Sequence, residues 1–272
     1  MTEFFVVLGV LVLSFALRTL RAPVFRKVGA AGILVASFLA VYFPTGSVSA
    51  GIAMALGWFL LPWIDLLTRI RHLRLPVEKV LENRPPPGTG RFPGLGAYTD
   101  EIEAKGYEYV ADKGWDWDGI RQFFRVFYHE EARTHVAICF TEQEGIAWAC
   151  VNITSRSKTG EVLRTSNLPF GNPMRSTPEM ELRRFPNLDE FGDLLAAHRQ
   201  RLDARGLTTD DLVEEVPEEV PSLIEEETKR QVRHNLEAGL IARAEDEELF
   251  RYSWRGLFFL YMQSVKDMVR LV

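Results

Sequence analysis

The sequence predicts an integral membrane α-helical anchor of three N-terminal transmembrane helices, followed by a cytoplasmic α+β domain with an antiparallel sheet and C-terminal helices. No charged residue occurs between Lys27 and Asp65, and a Pro-Thr-Gly turn divides this stretch into apolar runs at 28–43 and 48–64. Because about 17–25 apolar helical residues span a bilayer core, the two runs predict a membrane hairpin. After residue 98, segments rich in aromatic and β-branched residues alternate with turns, which predicts the sheet.

A further apolar run, 4–17, precedes the hairpin and would be about 21 Å long as a helix. A cleaved signal peptide has a basic start and a small-residue cleavage site. Here Glu3 precedes the run and basic residues follow it. We therefore predict that this segment is a retained first helix.

Basic residues predict the orientation of the three helices. The turn at 44–47 has none, whereas four lie between the first and second runs and four follow the third: Arg18, Arg21, Arg26 and Lys27, then Arg69, Arg71, Arg74 and Lys79. Positive residues stay on the cytoplasmic side of a membrane. We therefore predict a multi-pass protein of the cell membrane, with its N-terminus outside and everything after about residue 68 in the cytoplasm.

The apolar runs carry signs of close helix packing. Small residues recur every four positions, which lets helices approach each other: Gly32, Ala36 and Ala40 in one run, Ala53 and Gly57 in the other. We expect packing within the chain rather than a dimer interface. Asp65 lies four residues before Arg69, where an interfacial ion pair is expected. The runs contain no charge suited to a proton relay or a substrate, so we predict an anchor and not a transporter.

Composition divides the chain into four predicted parts. Residues 1–68 form the transmembrane anchor, and 69–97 a basic juxtamembrane segment with a Pro/Gly linker. Residues 98–188 form the antiparallel sheet domain with a long loop. Residues 189–272 form an acidic helical part in which a small hairpin is expected.

Five strands are predicted in the sheet domain, at 107–111, 120–128, 135–141, 146–155 and 161–165. Their connections are short and none has the pattern of a helical crossover, which predicts an antiparallel meander. The segment 120–128 also suits a helix, because Phe123, Phe124 and Phe127 have helical spacing.

The remainder is predicted as a long loop followed by helices. The loop at 166–187 contains four prolines, and loops of this length are usually functional or disordered. Capping-box patterns at 187–190 and 222–225 predict the starts of two helices, which end near Gly206 and Gly239. A hairpin at 240–254 and a final helix at 255–272 complete the chain.

The final helix has an unusual apolar surface. Residues 257–262 are six consecutive large apolar or aromatic residues, too many for one buried stripe. From residue 265 the pattern becomes amphipathic, with Val265, Met268, Val269 and Val272 on one face and Lys266 and Arg270 on another. We expect this helix to lie against the membrane or an apolar partner; the alternative is that the domain's own core covers the whole strip.

Three motifs suggest chemistry that their spacing does not support. His129 and His135 are six residues apart across a turn, whereas zinc-binding helices place histidines four apart. An SxxK pattern and a KTG pattern overlap at 155–160, although in penicillin-recognising enzymes they come from separate elements. The two cysteines, Cys139 and Cys150, lie on neighbouring predicted strands. We interpret them as buried apolar residues. The sequence therefore predicts no metal and no cofactor.

Residues 189–260 resemble a winged-helix module in element order, through the segments HNLEAGLI (234–241) and YSWRG (252–256). Recognition of DNA requires a basic face. Residues 186–253 contain 18 acids and 8 bases, a formal charge of −10. The resemblance therefore implies a protein-binding module, and we predict no nucleic-acid partner.

The predicted function is that of a membrane-anchored cytoplasmic binding or scaffold protein, with the lipid bilayer and a protein as partners. The alternative is a membrane-tethered enzyme whose site lies between the sheet and the 166–187 loop. Its polar ligand-binding candidates are Arg164, Asn167 and Arg175. The scaffold interpretation rests on the lack of a convergent acid/base pair or nucleotide loop in the sequence. Catalytic residues are not identified.

Overall fold

The computed structural model describes residues 2–20, 23–143 and 145–271, with their side chains except those of Pro23 and 268–271. Arg21 of the predicted basic loop therefore lies outside the described residues. So do the side chains of Met268, Val269 and Arg270, and all of Val272, which belong to the predicted amphipathic face. The chain forms two compact units. We call them the helical unit, Met1–Leu73 with Arg251–Val272, and the sheet unit, Arg74–Phe250.

The N-terminal part of the helical unit consists of three helices, α1 (Thr2–Arg18), α2 (Pro23–Thr45) and α3 (Val48–Thr68). Two spans, Val24–Thr45 and Val48–His72, are helical, long enough and apolar enough to cross a membrane. The helix over the first apolar run is shorter. Ser47 is the N-cap residue of α3. Its hydroxyl accepts a 3.3 Å hydrogen bond from the Ala50 N–H.

Small residues allow these helices to approach closely. A Cβ at Gly32 would clash with Ser14 of α1, and Ala36 is 1% exposed. The predicted packing at Gly32 and Ala36 is therefore confirmed. The predicted role of Gly57 is wrong, because a Cβ there would meet nothing within 4 Å; Gly51 makes the close approach from α3.

The helical unit also contains the final helix, α7 (Trp254–Leu271). Tyr261 stacks on Trp63 of α3, with ring centroids 4.9 Å apart. The Arg71 guanidinium lies 4.7 Å from the centroid of the Trp254 ring. The predicted ion pair between Asp65 and Arg69 is present at 3.3 Å.

The sheet unit is an α+β fold built on a seven-stranded sheet in which each strand pairs with the next in sequence. The strands are β2 (Glu82–Asn83), β3 (Glu108–Trp117), β4 (Ile120–His129), β5 (Thr134–Gln143), β6 (Ile146–Arg156), β7 (Val162–Ser166) and β8 (Met180–Arg184). A smaller sheet has the order β1 (Leu75–Pro76), β10 (Leu249–Tyr252), β9 (Ile241–Arg243).

Two sequence predictions about the large sheet need comment. The antiparallel meander predicted for five strands is confirmed, because β3 to β7 pair antiparallel in sequence order. The sheet as a whole is mixed and not antiparallel throughout, because β8 pairs parallel with β7. The strand β8 lies inside the segment predicted as a loop. The ambiguous segment 120–128 is strand β4. It resembled a helix because both faces of β4 are apolar: Phe123 and Phe127 face one core, and Phe124 and Val126 the other.

Helices cover both faces of the sheet. On one face, α4 (Leu95–Glu103) and α5 (Phe191–Ala204) pack in a core that includes Ile102 and Leu194, both at most 1% exposed. On the other face, α6 (Val220–Glu237) packs through Val220 and Ile224. This second face, under α6, holds the buried chain of charges described below.

Both predicted capping boxes are wrong as helix starts. The helix α5 begins at Phe191, whose N–H donates a 3.0 Å hydrogen bond to the carboxylate of Glu101 on α4. The helix α6 begins at Val220, so Ser222 lies inside it. The predicted glycine stops at Gly206 and Gly239 are confirmed, since both have positive φ just beyond a helix end.

Candidate functional site

The three sequence-predicted ligand-binding residues have structural partners. The Arg164 guanidinium on β7 donates to the Glu227 carboxylate on α6 and, at 3.0 Å, to the Thr154 hydroxyl. The buried Asn167 side chain joins two backbone groups, accepting from the Val151 N–H at 2.6 Å and donating to the Leu188 carbonyl at 3.3 Å.

Arg175 is held through its backbone. Its N–H donates to the Asn235 side chain at 2.9 Å, and its carbonyl accepts from the same amide at 2.8 Å, while its side chain is exposed. Arg164 and Arg175 thus both connect the 164–175 stretch to α6, whereas Asn167 bonds on the β6 side. The contacts of the three residues fix the loop to the domain.

Arg164 belongs to a buried chain of charges under α6. Glu227 also accepts a 2.7 Å hydrogen bond from Arg156, which lies 3.4 Å from Glu215, and Glu215 bonds His135 Nδ1 at 2.7 Å. Burial alone would raise the pKa of Glu227, but the neighbouring Arg164 and other charges lower it below its usual value. For Glu215, burial is likewise outweighed by His135 and Arg156, and its pKa is lowered. Both carboxylates are therefore held ionised.

A second polar group resembles a nucleophile and its base. Ser155 Oγ lies 3.0 Å from His198 Nε2, and the other ring nitrogen of His198 contacts the Thr165 hydroxyl at 2.8 Å. Serine hydrolases orient this histidine with a carboxylate. Here the third group is a neutral hydroxyl, and both Ser155 and His198 are 1% exposed. Burial lowers the pKa of His198 to about 3, so the group is a neutral structural network.

An open cleft lies at one end of the sheet. We call it the acidic cleft and define it by residues 106, 108–110, 128–131 and 214–218; its volume is about 990 Å³. Six glutamates line it: Glu108, Glu130, Glu131, Glu214, Glu215 and Glu218. Its aromatic lining is Tyr109, Tyr128 and His129, of which Tyr109 is half exposed. The cleft includes His129, whose six-residue spacing from His135 does not fit a zinc-binding helix, and the two glutamates that follow it.

Hydrogen bonds fix the wall of the acidic cleft formed by 214–218. Arg133 donates to the carbonyls of Thr209 and Leu212, at 3.0 and 3.2 Å. The Glu215 N–H donates to the Tyr128 hydroxyl at 3.1 Å, and its carboxylate enters the buried ionic chain. The cleft is therefore preformed. The acidic cleft was not predicted from the sequence, although the sequence contains the paired acids at 130–131 and 214–215 that line it.

A second cleft, of about 670 Å³, lies between β3 and the small sheet; its lining includes Lys79, Trp115, Trp117 and Arg243, and we call it the tryptophan cleft. The Lys79 Nζ lies 4.2 Å from the centroid of the Trp115 ring, a cation–π contact. Burial lowers the pKa of Lys79 to about 8. The indole N–H of Trp117 donates to the Arg74 carbonyl at 2.8 Å, which fixes one side of the cleft.

The described residues form neither a metal-binding site nor a reactive-cysteine site. Among the described residues, no group of three or more His, Cys, Asp or Glu side chains could hold a metal ion. Cys139 and Cys150 lie directly opposite each other on β5 and β6 and are both buried and free. The hydrogen bond with the Cys150 thiol, together with burial, raises the pKa of Cys139, so Cys139 is held as a thiol.

Comparison with known proteins adds no assignment. The chain matches no protein-family model, no curated protein and no solved structure. Its function must therefore be argued from its own residues.

Proposed function

We propose that this chain is a multi-pass membrane protein whose sheet unit acts in the cytoplasm as a binding or scaffold module for a cationic protein segment. The membrane part of the proposal is supported by two helices of spanning length and by the basic residues that follow α3. In the proposed topology, α1, α2 and α3 all cross the bilayer, with the N-terminus outside. The helix α1 contributes by packing on α2 through Ser14.

The acidic cleft is the single observation that carries the binding function. Six glutamates and two tyrosines line a preformed depression whose volume lies in the range of ligand sites, about 300–1,000 Å³. The sheet unit has 34 acids and 22 bases, a formal charge of −12. A field of this sign steers cationic partners to the surface and repels phosphate. A segment rich in arginine or lysine fits the cleft, and nucleic acid does not.

The enzyme alternative has less support at its expected site. Arg164 and Asn167 are engaged in contacts that hold the domain together. Lys79 in the tryptophan cleft is the one observation that favours an enzyme, because an amine of lowered pKa is a better nucleophile or base. The acidic cleft is the larger of the two, about 990 Å³ against about 670 Å³, so we favour binding.

A peptide-binding experiment tests the proposed function. The full chain in detergent or nanodiscs is titrated with a fluorescent hexa-arginine peptide and with a hexa-glutamate peptide. We expect binding of the first only, and roughly tenfold weaker binding after neutralisation of three exposed cleft acids: Glu108→Gln, Glu130→Gln and Glu218→Gln. The matched control removes the same charge elsewhere: Asp203→Asn, Glu237→Gln and Glu245→Gln. Equal weakening in both variants would show diffuse attraction and contradict a defined site.

Cysteine labelling tests the proposed topology. Thr45 lies at the turn between α2 and α3, and Thr89 lies beyond the last basic cluster; both are exposed. In intact cells, an impermeant maleimide should label Thr45→Cys and not Thr89→Cys. Labelling of Thr89→Cys alone would show that the topology is the inverse of the proposed one.

A further inference from the structure

The helix α7 leaves part of its apolar surface uncovered. Leu257 is 1% exposed, whereas Trp254, Phe258 and Met262 are 59%, 54% and 38% exposed. These three residues are spaced by four, so they form one stripe along the helix, which we call the α7 stripe. The alternative that the domain's own core covers the whole strip at 257–262 is wrong for Phe258 and Met262.

Two exposed basic residues lie along one margin of the α7 stripe. At 100° per residue, Arg255 and Lys266 lie beside Met262 at one margin of the stripe, and both side chains are exposed. An apolar stripe bordered by cations is the pattern of helices that lie in a membrane interface. The helical unit as a whole carries ten bases and three acids, a formal charge of +7, opposite in sign to the sheet unit.

Two contacts place α7 along the end of α3. Tyr261 pairs with Trp63 and Trp254 pairs with Arg71, so α7 runs antiparallel to the last turns of α3. Trp63 and Arg71 are separated by about 12 Å along a helix axis. Tryptophan and arginine at the end of a membrane helix mark the layer between acyl chains and headgroups.

We infer that α7 is an interfacial helix. The α7 stripe contacts the acyl chains of the leaflet from which α3 emerges, and Arg255 and Lys266 contact anionic lipid headgroups. This inference rests on the proposed membrane anchor. The occupant is the bilayer because α7 packs on a helix of membrane-spanning length and because its charges complement an anionic surface.

Quenching by brominated lipids tests the inference in the full chain. A small fluorophore is attached to single introduced cysteines in nanodiscs; the native chain, whose two cysteines are buried, is the labelling blank. The reporters are Phe258→Cys and Met262→Cys on the stripe. The matched control is Gln263→Cys, about 140° around the same helix from Phe258. We expect quenching at the stripe to exceed that at the control roughly twofold or more.

A reporter on α3 separates failure of the inference from failure of the anchor. Leu60 is 61% exposed on α3, so Leu60→Cys should be quenched in any membrane-spanning arrangement. Quenching at Leu60→Cys without quenching at Phe258→Cys overturns the inference and leaves the anchor standing. The lack of quenching at Leu60→Cys overturns both. Cross-linking between chains at Phe258→Cys without quenching assigns the stripe to a second copy, and also overturns the inference.

The proposed contact between the two bases and anionic lipid headgroups is tested separately, by comparing two brominated lipids. Brominated phosphatidylserine should quench Phe258→Cys more strongly than brominated phosphatidylcholine, because the bases enrich anionic lipid around α7. The combined change Arg255→Gln and Lys266→Gln should remove that difference. Equal quenching by the two lipids in the unmodified helix overturns the assignment to anionic headgroups.

Discussion

Arg156 Nη2 on β6 lies 2.7 Å from Glu227 Oε1 on α6, and the second oxygen of the same carboxylate accepts from Arg164 on β7. The side chain of Glu227 is 4% exposed, and those of the two arginines are 14% and 20% exposed. One carboxylate therefore pairs with two largely buried cations and ties α6 to two strands.

Removal of this carboxylate should strongly destabilise the sheet unit. We expect Glu227→Ala to lower the free energy of unfolding by about 3–5 kcal/mol, since it leaves the largely buried Arg164 guanidinium without a carboxylate and leaves Arg156 with Glu215 alone. Glu226→Ala is the control. That neighbour is exposed and makes a 3.9 Å surface ion pair with Lys229, so its loss should change stability by about 0.5 kcal/mol or less. Urea unfolding of the full chain, followed by tryptophan fluorescence, measures both; similar losses would contradict the role of Glu227.

His198 should make the fold sensitive to acid above the range of carboxylates. Burial lowers its pKa in the folded chain to about 3, whereas an unfolded histidine has a pKa of about 6.5. The folded state therefore excludes a proton that the unfolded state binds. The resulting stability is present above pH 6.5 and is lost as the pH falls toward 3.

The variant His198→Gln isolates this effect. Between pH 6 and pH 5, we expect the free energy of unfolding of the native chain to fall by about 1.4 kcal/mol per pH unit more than that of the variant. The lowered pKa values of Glu215 and Glu227 add further acid sensitivity only below about pH 4.5. Equal slopes in the two proteins above pH 5 would show that His198 is not held neutral by burial.

Local signals in the sequence were sufficient for the apolar helices, for the ends of α5 and α6, and for the five strands β3 to β7. Uncharged runs gave the helices α2 and α3, and glycines with positive φ ended α5 and α6 at Gly206 and Gly239. These features depend on a few adjacent residues. The chain's own backbone preferences therefore determine them.

Long-range partners could not be read from the sequence. The segment MELRR forms β8 because β7 supplies backbone partners, and Phe191 is capped by Glu101, ninety residues earlier in the chain. Arg164 was selected as a ligand-binding candidate, but its partner Glu227 is one of many acids that follow it in the sequence. The acidic cleft likewise assembles from three separate stretches. Such sites are properties of the fold and not of a local pattern.

The close packing of α1 on α2 can be tested by adding a single methyl group at Gly29. A Cβ added at Gly29 would lie 2.6 Å from the Ser14 carbonyl oxygen, so Gly29→Ala requires a backbone shift. We expect a loss of about 1–3 kcal/mol from this overpacking. Gly57→Ala is the matched control, because it adds the same methyl group to open space. Thermal unfolding in detergent compares the two; a tolerated Gly29→Ala would show that α1 does not pack on α2 at this point.

The tryptophan cleft should make Lys79 unusually reactive. Its pKa is lowered by burial to about 8, compared with about 10.4 for a hydrated lysine. At pH 7.4, about 20% of its side chains are therefore neutral, against about 0.1% for a hydrated amine. Only the neutral amine attacks an acylating reagent, so the rate of Lys79 acylation should rise with a midpoint near pH 8.

Competitive acetylation of the full chain, followed by peptide mass spectrometry, measures this midpoint, with exposed Lys158 as the internal reference. Trp115→Leu removes the ring that lies 4.2 Å from the Lys79 Nζ. Because water then reaches the amine, we expect the midpoint to move toward about 10.4. A midpoint for Lys79 that equals the one for Lys158 in the native chain would show that the amine is hydrated, and would remove the observation that favours an enzyme. A midpoint near 8 that Trp115→Leu leaves unchanged would assign the lowered pKa to other residues of the cleft.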